Sequence, residues 1–183
     1  MSGRFAGRNV IVTGASRGIG QATALAFAAE GADVLALGRS VADLAETVRL
    51  AGAAGGRAWL AGCDVTDESA VDAVVASAAE RWGAIHVLIN NAGIDDDTPF
   101  LDIDRSRWRA VIDTNLTGAF LMAQAVAQHM ARTGGGVILH TASIDAGGAD
   151  GPFAAYNASK AGLLGLNRTM AVELASHGSA PTV

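Results

Sequence analysis

The stretch "NVIVTGASRGIGQATALAFAAEG", residues 9–31, decides the fold. Residues 9–14 are rich in β-branched side chains and end at Gly14, which is the pattern of a buried strand. Residues 18–31 are Ala-rich and close on Gly31, the pattern of a helix with a glycine stop. A strand, a glycine loop and a helix in direct succession form the arrangement that binds dinucleotides. In it Gly14 permits the turn, Gly18 lets a pyrophosphate approach the backbone, and Gly20 lets the helix sit close on the sheet. Free N–H groups at the helix start then face an anion. The spacing G-x-x-x-G-x-G differs from the more usual G-x-G-x-x-G. A plain tight turn is the competing reading, and the flanking strand and helix argue against it.

The same alternation continues outward. Apolar runs at 33–38, 57–62, 85–90 and 135–143 read as strands. Helical patterns occupy 40–55, with Ser40 as an N-cap, and 66–83, with acidic residues where the helix dipole favours them. A long helical stretch, broken or continuous, covers 104–132, and a last helix covers 156–176. Strands alternating with helices predict an α/β fold, a doubly wound parallel sheet covered on both faces. The tail "SHGSAPTV" is too short and too polar for a further strand, so five strands are expected.

At 183 residues, half of them hydrophobic and 17% charged, the chain is expected to form one domain with a sizeable core over residues 1–183. A net charge of −5 with no basic cluster argues against a nucleic-acid partner. Cys63 is the only cysteine, which rules out an internal disulfide and fits a reducing compartment. The first residues lack the apolar core of a signal peptide, and no uninterrupted apolar run nears the length of a membrane span. The expectation is a cytoplasmic, soluble protein with no membrane partner. His86, His129, His140 and His177 show no metal-ligand spacing, and Asp95–Asp97 reads as a solvated loop, so no metal site is expected. Trp59, Trp82 and Trp108 read as packing residues.

The end of the second strand selects the cofactor in a dinucleotide fold. An acid there binds the ribose 2′-hydroxyl of NAD, and an arginine accommodates the 2′-phosphate of NADP. Here the strand ends at Gly38, followed by Arg39 and Ser40, and Asp33 lies at the opposite end. Arg17 adds a second guanidinium from the glycine loop. NADP is therefore expected over NAD.

Near the end of the chain, "YNASK" at 156–160 places Tyr156 and Lys160 one helical turn apart, on the same face. A phenol ordinarily titrates at about 10, and a neighbouring cation favours the phenolate. Tyr156 is the only tyrosine. A packed aromatic is the alternative reading of it.

With these residues the chain resembles the short-chain dehydrogenase/reductase family of the single-domain type, from about residue 8 to 177. The resemblance rests on "TGASRGIG" at 13–20, "CDVTD" at 63–67, "NNAG" at 90–93, "DTNLTG" at 113–118, "TAS" at 141–143 and "YNASK", all in the family's order. It implies a Rossmann-type sheet of order 3-2-1-4-5. It implies a catalytic tetrad of Asn115, Ser143, Tyr156 and Lys160. Tyr156 would exchange the proton, Lys160 would also bind the nicotinamide ribose, Ser143 would bind the substrate oxygen, and Asn115 would hold a water. The cofactor would lie on Gly14, Ser16, Arg17, Gly18, Ile19, Gly20, Arg39 and Ser40. Asp64 and Val65 would meet the adenine, with Asn90, Asn91, Ala92 and Gly93 beside the adenosine and Tyr156 and Lys160 at the other end. The reaction implied interconverts a small-molecule carbonyl and an alcohol. A homodimer through 104–132 and the last helix is implied as well.

Members of the family continue past the last helix with a sixth strand, a Pro-Gly loop, a lid helix and a seventh strand. Here "HG" leads only to "SAPTV". The expectation is a domain incomplete at its C-terminus, with the fifth strand an exposed edge. Three readings stay open: an NADP-dependent oxidoreductase, a dinucleotide-binding module with little or no turnover, and a non-functional fragment.

Overall fold

The computed structural model describes residues 3–148, 151–177 and 179–182. Strand β1 (Asn9–Thr13) leads to helix α1 (Gly18–Ala29), then β2 (Asp33–Gly38), α2 (Val41–Ala53), β3 (Arg57–Gly62), α3 (Glu68–Trp82) and β4 (Val87–Asn90). A short 3-10 turn, Phe100–Asp102, precedes α4 (Arg105–Ile112). One π-helical turn, Asp113–Thr117, joins it to α5 (Gly118–Thr133). Strand β5 (Gly136–His140), helix α6 (Ala154–Leu174) and strand β6 (Ser179–Thr182) follow.

The helices begin where the sequence supplies acceptors. The Ser40 hydroxyl accepts from Asp43 N–H at 3.3 Å, and the Asp67 carboxylate accepts from Ala70 N–H at 3.1 Å. Helix α5 stops at Gly134, whose φ of 101° is left-handed. All strand pairings are parallel, in the order β3-β2-β1-β4-β5-β6. The expected order 3-2-1-4-5 is present. Val10 and Val12 of β1 enter one apolar layer with Val34, Ala36 and Ile89, while Ile11 enters the other with Leu35, Leu37 and Leu88. Burial on both faces is why these strands read as unbroken apolar runs.

The tail corrects the sequence reading. Residues 179–182 form a sixth strand, in register from Gly136↔Ser179 to Leu139↔Thr182. Such pairing uses main-chain groups, so it needs no apolar alternation, and an edge strand tolerates Pro181. Helix α6 supplies the crossover that returns the chain to the free side of β5. Strand β5 is therefore paired on both sides, and β6 is the edge.

The helical stretch Arg105–Thr133 runs 29 residues, with a mean hydropathy of 1.2 in its most apolar window. Met122, Val126 and Met130 are wholly buried against the sheet, so its apolar character belongs to a core helix.

Two polar joints hold the carboxyl ends of the central strands. The Thr13 hydroxyl accepts from the N–H groups of Asn91 and Ala92, each at 2.9 Å. The Asn91 side-chain amide donates to the Thr13 carbonyl at 3.1 Å. Deeper in the sheet, Asn90 stands opposite His140 in the β4–β5 register. The Asn90 amide donates to the Ala119 carbonyl at 2.9 Å and lies 3.4 Å from His140 Nδ1.

His140 is 3% exposed. Burial, and then the positive charge of Lys160, push its pKa from 6.5 down to about 4. Between these pH values the unfolded chain binds a proton at His140 that the folded chain refuses. Stability is therefore highest above the unfolded pKa and falls as pH drops towards 4, by at most roughly 3 kcal/mol from this group. Urea unfolding of wild type and His140→Leu across pH 4–7 measures it: the wild type should lose stability more steeply on acidification, and parallel curves would contradict the assignment.

Candidate active site

A cleft of about 530 Å³ lies over the carboxyl ends of β1 to β4. Its floor is the glycine loop. Gly14 has a φ of +65°, and a Cβ there would stand 2.9 Å from Ala92 Cα. A Cβ on Gly20 would collide with the Gly14 carbonyl, so α1 can reach this close to the loop only with glycine there. Over Gly18 nothing lies within 4 Å of a Cβ position, so the loop is open where a ligand would approach.

The loop's carbonyls are occupied from below. The Thr47 hydroxyl donates to the Ala15 carbonyl at 2.8 Å, and the Gln21 amide donates to the Ser16 carbonyl at 3.3 Å. Helix α1 has no side-chain cap, with Arg17 in the N-cap position, so its first N–H groups are presented to the cleft. Arg17 and Arg39 are exposed lining residues, and among the described residues neither forms an ion pair. Asp33 is at the far end of β2, 4.0 Å from Arg57.

Ser16, Gly18, Ile19, Asp64, Val65 and Gly93 also line the cleft, as the sequence led us to expect. Asp64 is fixed through one carboxylate oxygen, which accepts from the Thr66 N–H at 3.0 Å and hydroxyl at 2.8 Å. Asn91 lines the cleft, but its side-chain amide is spent on the Thr13 and Gly14 carbonyls. Ser40 is not among the lining residues, and its hydroxyl caps α2. Cys63, buried just past the end of β3, also lines the cleft. Burial, then Asp64 and Asp67, push its thiol up to about 11, so it stays protonated and unreactive at neutral pH. Leu37, Thr66, Ile94, Ala110, Asp113 and Thr114 also line the walls without having been singled out. Leu37 and Ile94 neighbour residues that were read, and Thr114 lies within the "DTNLTG" motif.

The tetrad residues lie outside the lining of this cleft, at the edge marked by Gly93. A Cβ on Gly93 would stand 3.2 Å from Asn115 Oδ1 and 3.8 Å from Lys160 Nζ. Asn115 sits in the π turn, 1% exposed. Its side chain clamps one peptide: Oδ1 accepts from Ile94 N–H and Nδ2 donates to the Ile94 carbonyl, both at 2.8 Å. Nδ2 also donates to the Ser159 hydroxyl at 3.0 Å, and that hydroxyl donates to the Tyr156 carbonyl at 2.7 Å. The Asn115 side-chain amide is thus committed to the scaffold, and Ser159 is a partner that the sequence did not reveal.

Lys160 is 4% exposed, its Nζ bonded to the Thr141 carbonyl and 5.5 Å from the centre of the Tyr156 ring. Burial lowers its pKa. It is the only lysine, as Tyr156 is the only tyrosine. The Tyr156 ring meets Phe153 edge-on, with centroids 6.5 Å apart. Ser143 stands at the exit of β5, where its hydroxyl donates to an Asp145 carboxylate oxygen at 3.1 Å, and the turn it opens packs against α6. The structure thus bonds Asn115 through Ser159 to the Tyr156 carbonyl, sets the Lys160 ammonium beside the Tyr156 ring, and leaves Ser143 on the loop that packs against α6.

The family model for short chain dehydrogenase matches residues 8–180. A short-chain reductase protein, NovJ, from Streptomyces niveus is 44% identical over 168 residues, covering 92% of this chain. The chain spans only 64% of that protein's length. A metagenomic short-chain oxidoreductase solved in complex with NADP superposes with a TM-score of 0.92 at 35% identity, covering 97% of this chain and 80% of that one. A 7α-hydroxysteroid dehydrogenase solved with NADH and a 7-oxo bile acid conjugate gives 0.92 at 32% identity, covering 97% and 69%. With its glycine loop, parallel sheet order and Tyr156–Lys160 helix, the chain belongs to the short-chain dehydrogenase/reductase family.

Proposed function

We propose that the protein is an NADP-dependent oxidoreductase that interconverts a small-molecule carbonyl compound and a secondary alcohol. The observation that carries this reading is the buried Lys160 ammonium one turn from Tyr156, at the edge of the dinucleotide cleft. The cleft fits the cofactor. It offers an uncapped helix start for the pyrophosphate, glycines that leave no room for a Cβ beneath it, and two exposed arginines for a 2′-phosphate.

When bound, the cofactor supplies or accepts the hydride. The residues of the chain manage the proton. In the reductive direction Tyr156 gives its phenolic proton to the carbonyl oxygen as the carbon gains hydride, and the C=O becomes C–H and O–H. Lys160 stabilises the phenolate left behind. Ser143, its hydroxyl turning from Asp145, would bond the same oxygen. Asn115 holds Ile94, Ser159 and so Tyr156 in register.

One observation favours a second reading, a dinucleotide-binding module with little turnover. The cleft's lining stops at Gly93, Ile94 and Thr114 and includes none of Ser143, Tyr156 and Lys160. Reduction of any ketone at ordinary rates, ~1–10³ s⁻¹, would decide for the enzyme.

We further propose a homodimer through α4, α5 and α6. Exposed apolar side chains on these helices support it, namely Trp108, Phe120 and Val172. Light scattering at micromolar concentration should give twice the chain mass; a monomer would remove the proposal.

Calorimetric titration should show NADP(H) binding more tightly than NAD(H). Arg39→Ala should weaken NADP(H) by about 1.5–3 kcal/mol, the worth of a charge-assisted bond, and leave NAD(H) nearly unchanged. Equal affinities in the wild type would refute the preference.

Tyr156→Phe should keep the fold and cofactor affinity while lowering kcat by about 10²–10⁴-fold. Steady-state kinetics on a ketone that the wild type reduces is the check, and near-wild-type turnover would rule out Tyr156 as the proton donor.

A further inference from the structure

Beneath the cluster lies a buried histidine, His140. His140 is the last residue of β5 and stands opposite Asn90, the last residue of β4. Both are buried. Asn90 Nδ2 is anchored on the Ala119 carbonyl at the start of α5 and lies 3.4 Å from His140 Nδ1. With an amide N–H facing it, Nδ1 is the acceptor, and the ring proton belongs on Nε2. Nε2 is buried with no partner among the described residues.

The next residue along makes the connection to the chemistry. Thr141 N–H donates to the Asn90 carbonyl at 2.9 Å, and the Thr141 carbonyl accepts the Lys160 ammonium. Asn90 thus grips two consecutive residues, His140 through its side chain and Thr141 through its main chain. An unpaired buried N–H lowers stability, and an apolar side chain at this position would carry no such penalty. Stability alone therefore gives no reason for an imidazole here.

We propose that His140 is a positioning residue for Lys160: its contact with Asn90 fixes the Thr141 carbonyl on which the ammonium rests. The proposal rests on the oxidoreductase reading for its effect on turnover, but its effect on Lys160 stands apart from that reading. The charged group bearing on His140 is Lys160 itself, from α6. The β4 and α5 groups that hold the Asn90–His140 pair in place, the Asn90 amide and the Ala119 carbonyl, are neutral. An uncharged imidazole adds no second cation beneath the lysine, and burial keeps it uncharged at neutral pH.

The test uses the full chain labelled with ¹⁵N-lysine, which yields a single side-chain amine signal because Lys160 is the only lysine. Its titration is followed by NMR in wild type, His140→Leu and His140→Asn, alongside kcat and KM for NADPH-driven ketone reduction. In His140→Leu the lysine should titrate about one pH unit lower, because its carbonyl acceptor keeps only the main-chain bond to Asn90 and is held less firmly. kcat should fall about tenfold with little change in ketone KM. His140→Asn, which restores an amide facing Asn90, should recover most of both. Should the leucine variant not fold, His140→Met takes its place, since it also lacks the ring nitrogens. An unchanged lysine titration in a folded variant overturns the proposal whatever the turnover, and so does a shifted titration with unchanged kcat. A wild type that reduces no ketone defeats the oxidoreductase reading instead, and the lysine titration still decides the place of His140.

Discussion

A solitary ammonium held out of water constrains everything around it. Lys160 is 4% exposed, and its cation is held by a main-chain carbonyl. Removing a charge from water is unfavourable unless acceptors are fixed in place beforehand. The end of β5 supplies that acceptor in Thr141, and Thr141 is held by Asn90 of the neighbouring strand. The helix that carries the lysine is tied by Ser159 and Asn115 to the π turn and to the peptide of Ile94. Strands β4 and β5, the π turn and α6 thus meet around the one carbonyl that takes the buried charge.

The cleft follows from a different constraint, the direction of the strands. In a parallel sheet every carboxyl end points the same way, so the loops after β1, β2, β3 and β4 gather at one rim. The Thr13 hydroxyl takes two N–H groups from the loop after β4 and so fixes how that loop meets the glycine loop. Gly14 and Gly20 let these loops and α1 approach without a side chain between them. Glycine loop and "NNAG" are in this sense one construction, and Gly93 is where it touches the lysine cluster.

Much of this was legible in the sequence because it is local. Strand and helix periods, the Ser40 cap and the strand–glycine–helix order are written in neighbouring residues, and β2 and β3 occupy the residues read for them. The family's motifs carried Tyr156, Lys160 and Asn115 to one cluster. What stayed hidden is long-range or made by the backbone. The Asn90–His140 pair joins residues fifty apart, and no period marks a lone histidine as buried beside a lysine. Nothing in its neighbours marks Ser159 as the group that Asn115, forty-four residues earlier, reaches. Strand β6 has no apolar alternation, because its place comes from the main-chain edge that β5 presents. Ser40 shows the converse: the residue was expected both to cap a helix and to touch the cofactor, and its hydroxyl is engaged in the cap.

The chain's one lysine lies inside the site, and the other side-chain cations are twelve arginines. Reagents that acylate side-chain amines therefore have no surface target in the folded chain. They can reach Nζ only when α6 parts from the end of β5. Burial, which lowers the pKa of this amine, is lost on opening, so Nζ then reacts as an exposed lysine does. The extent of acylation becomes a clock for local opening of the site, read from a single residue without an introduced probe.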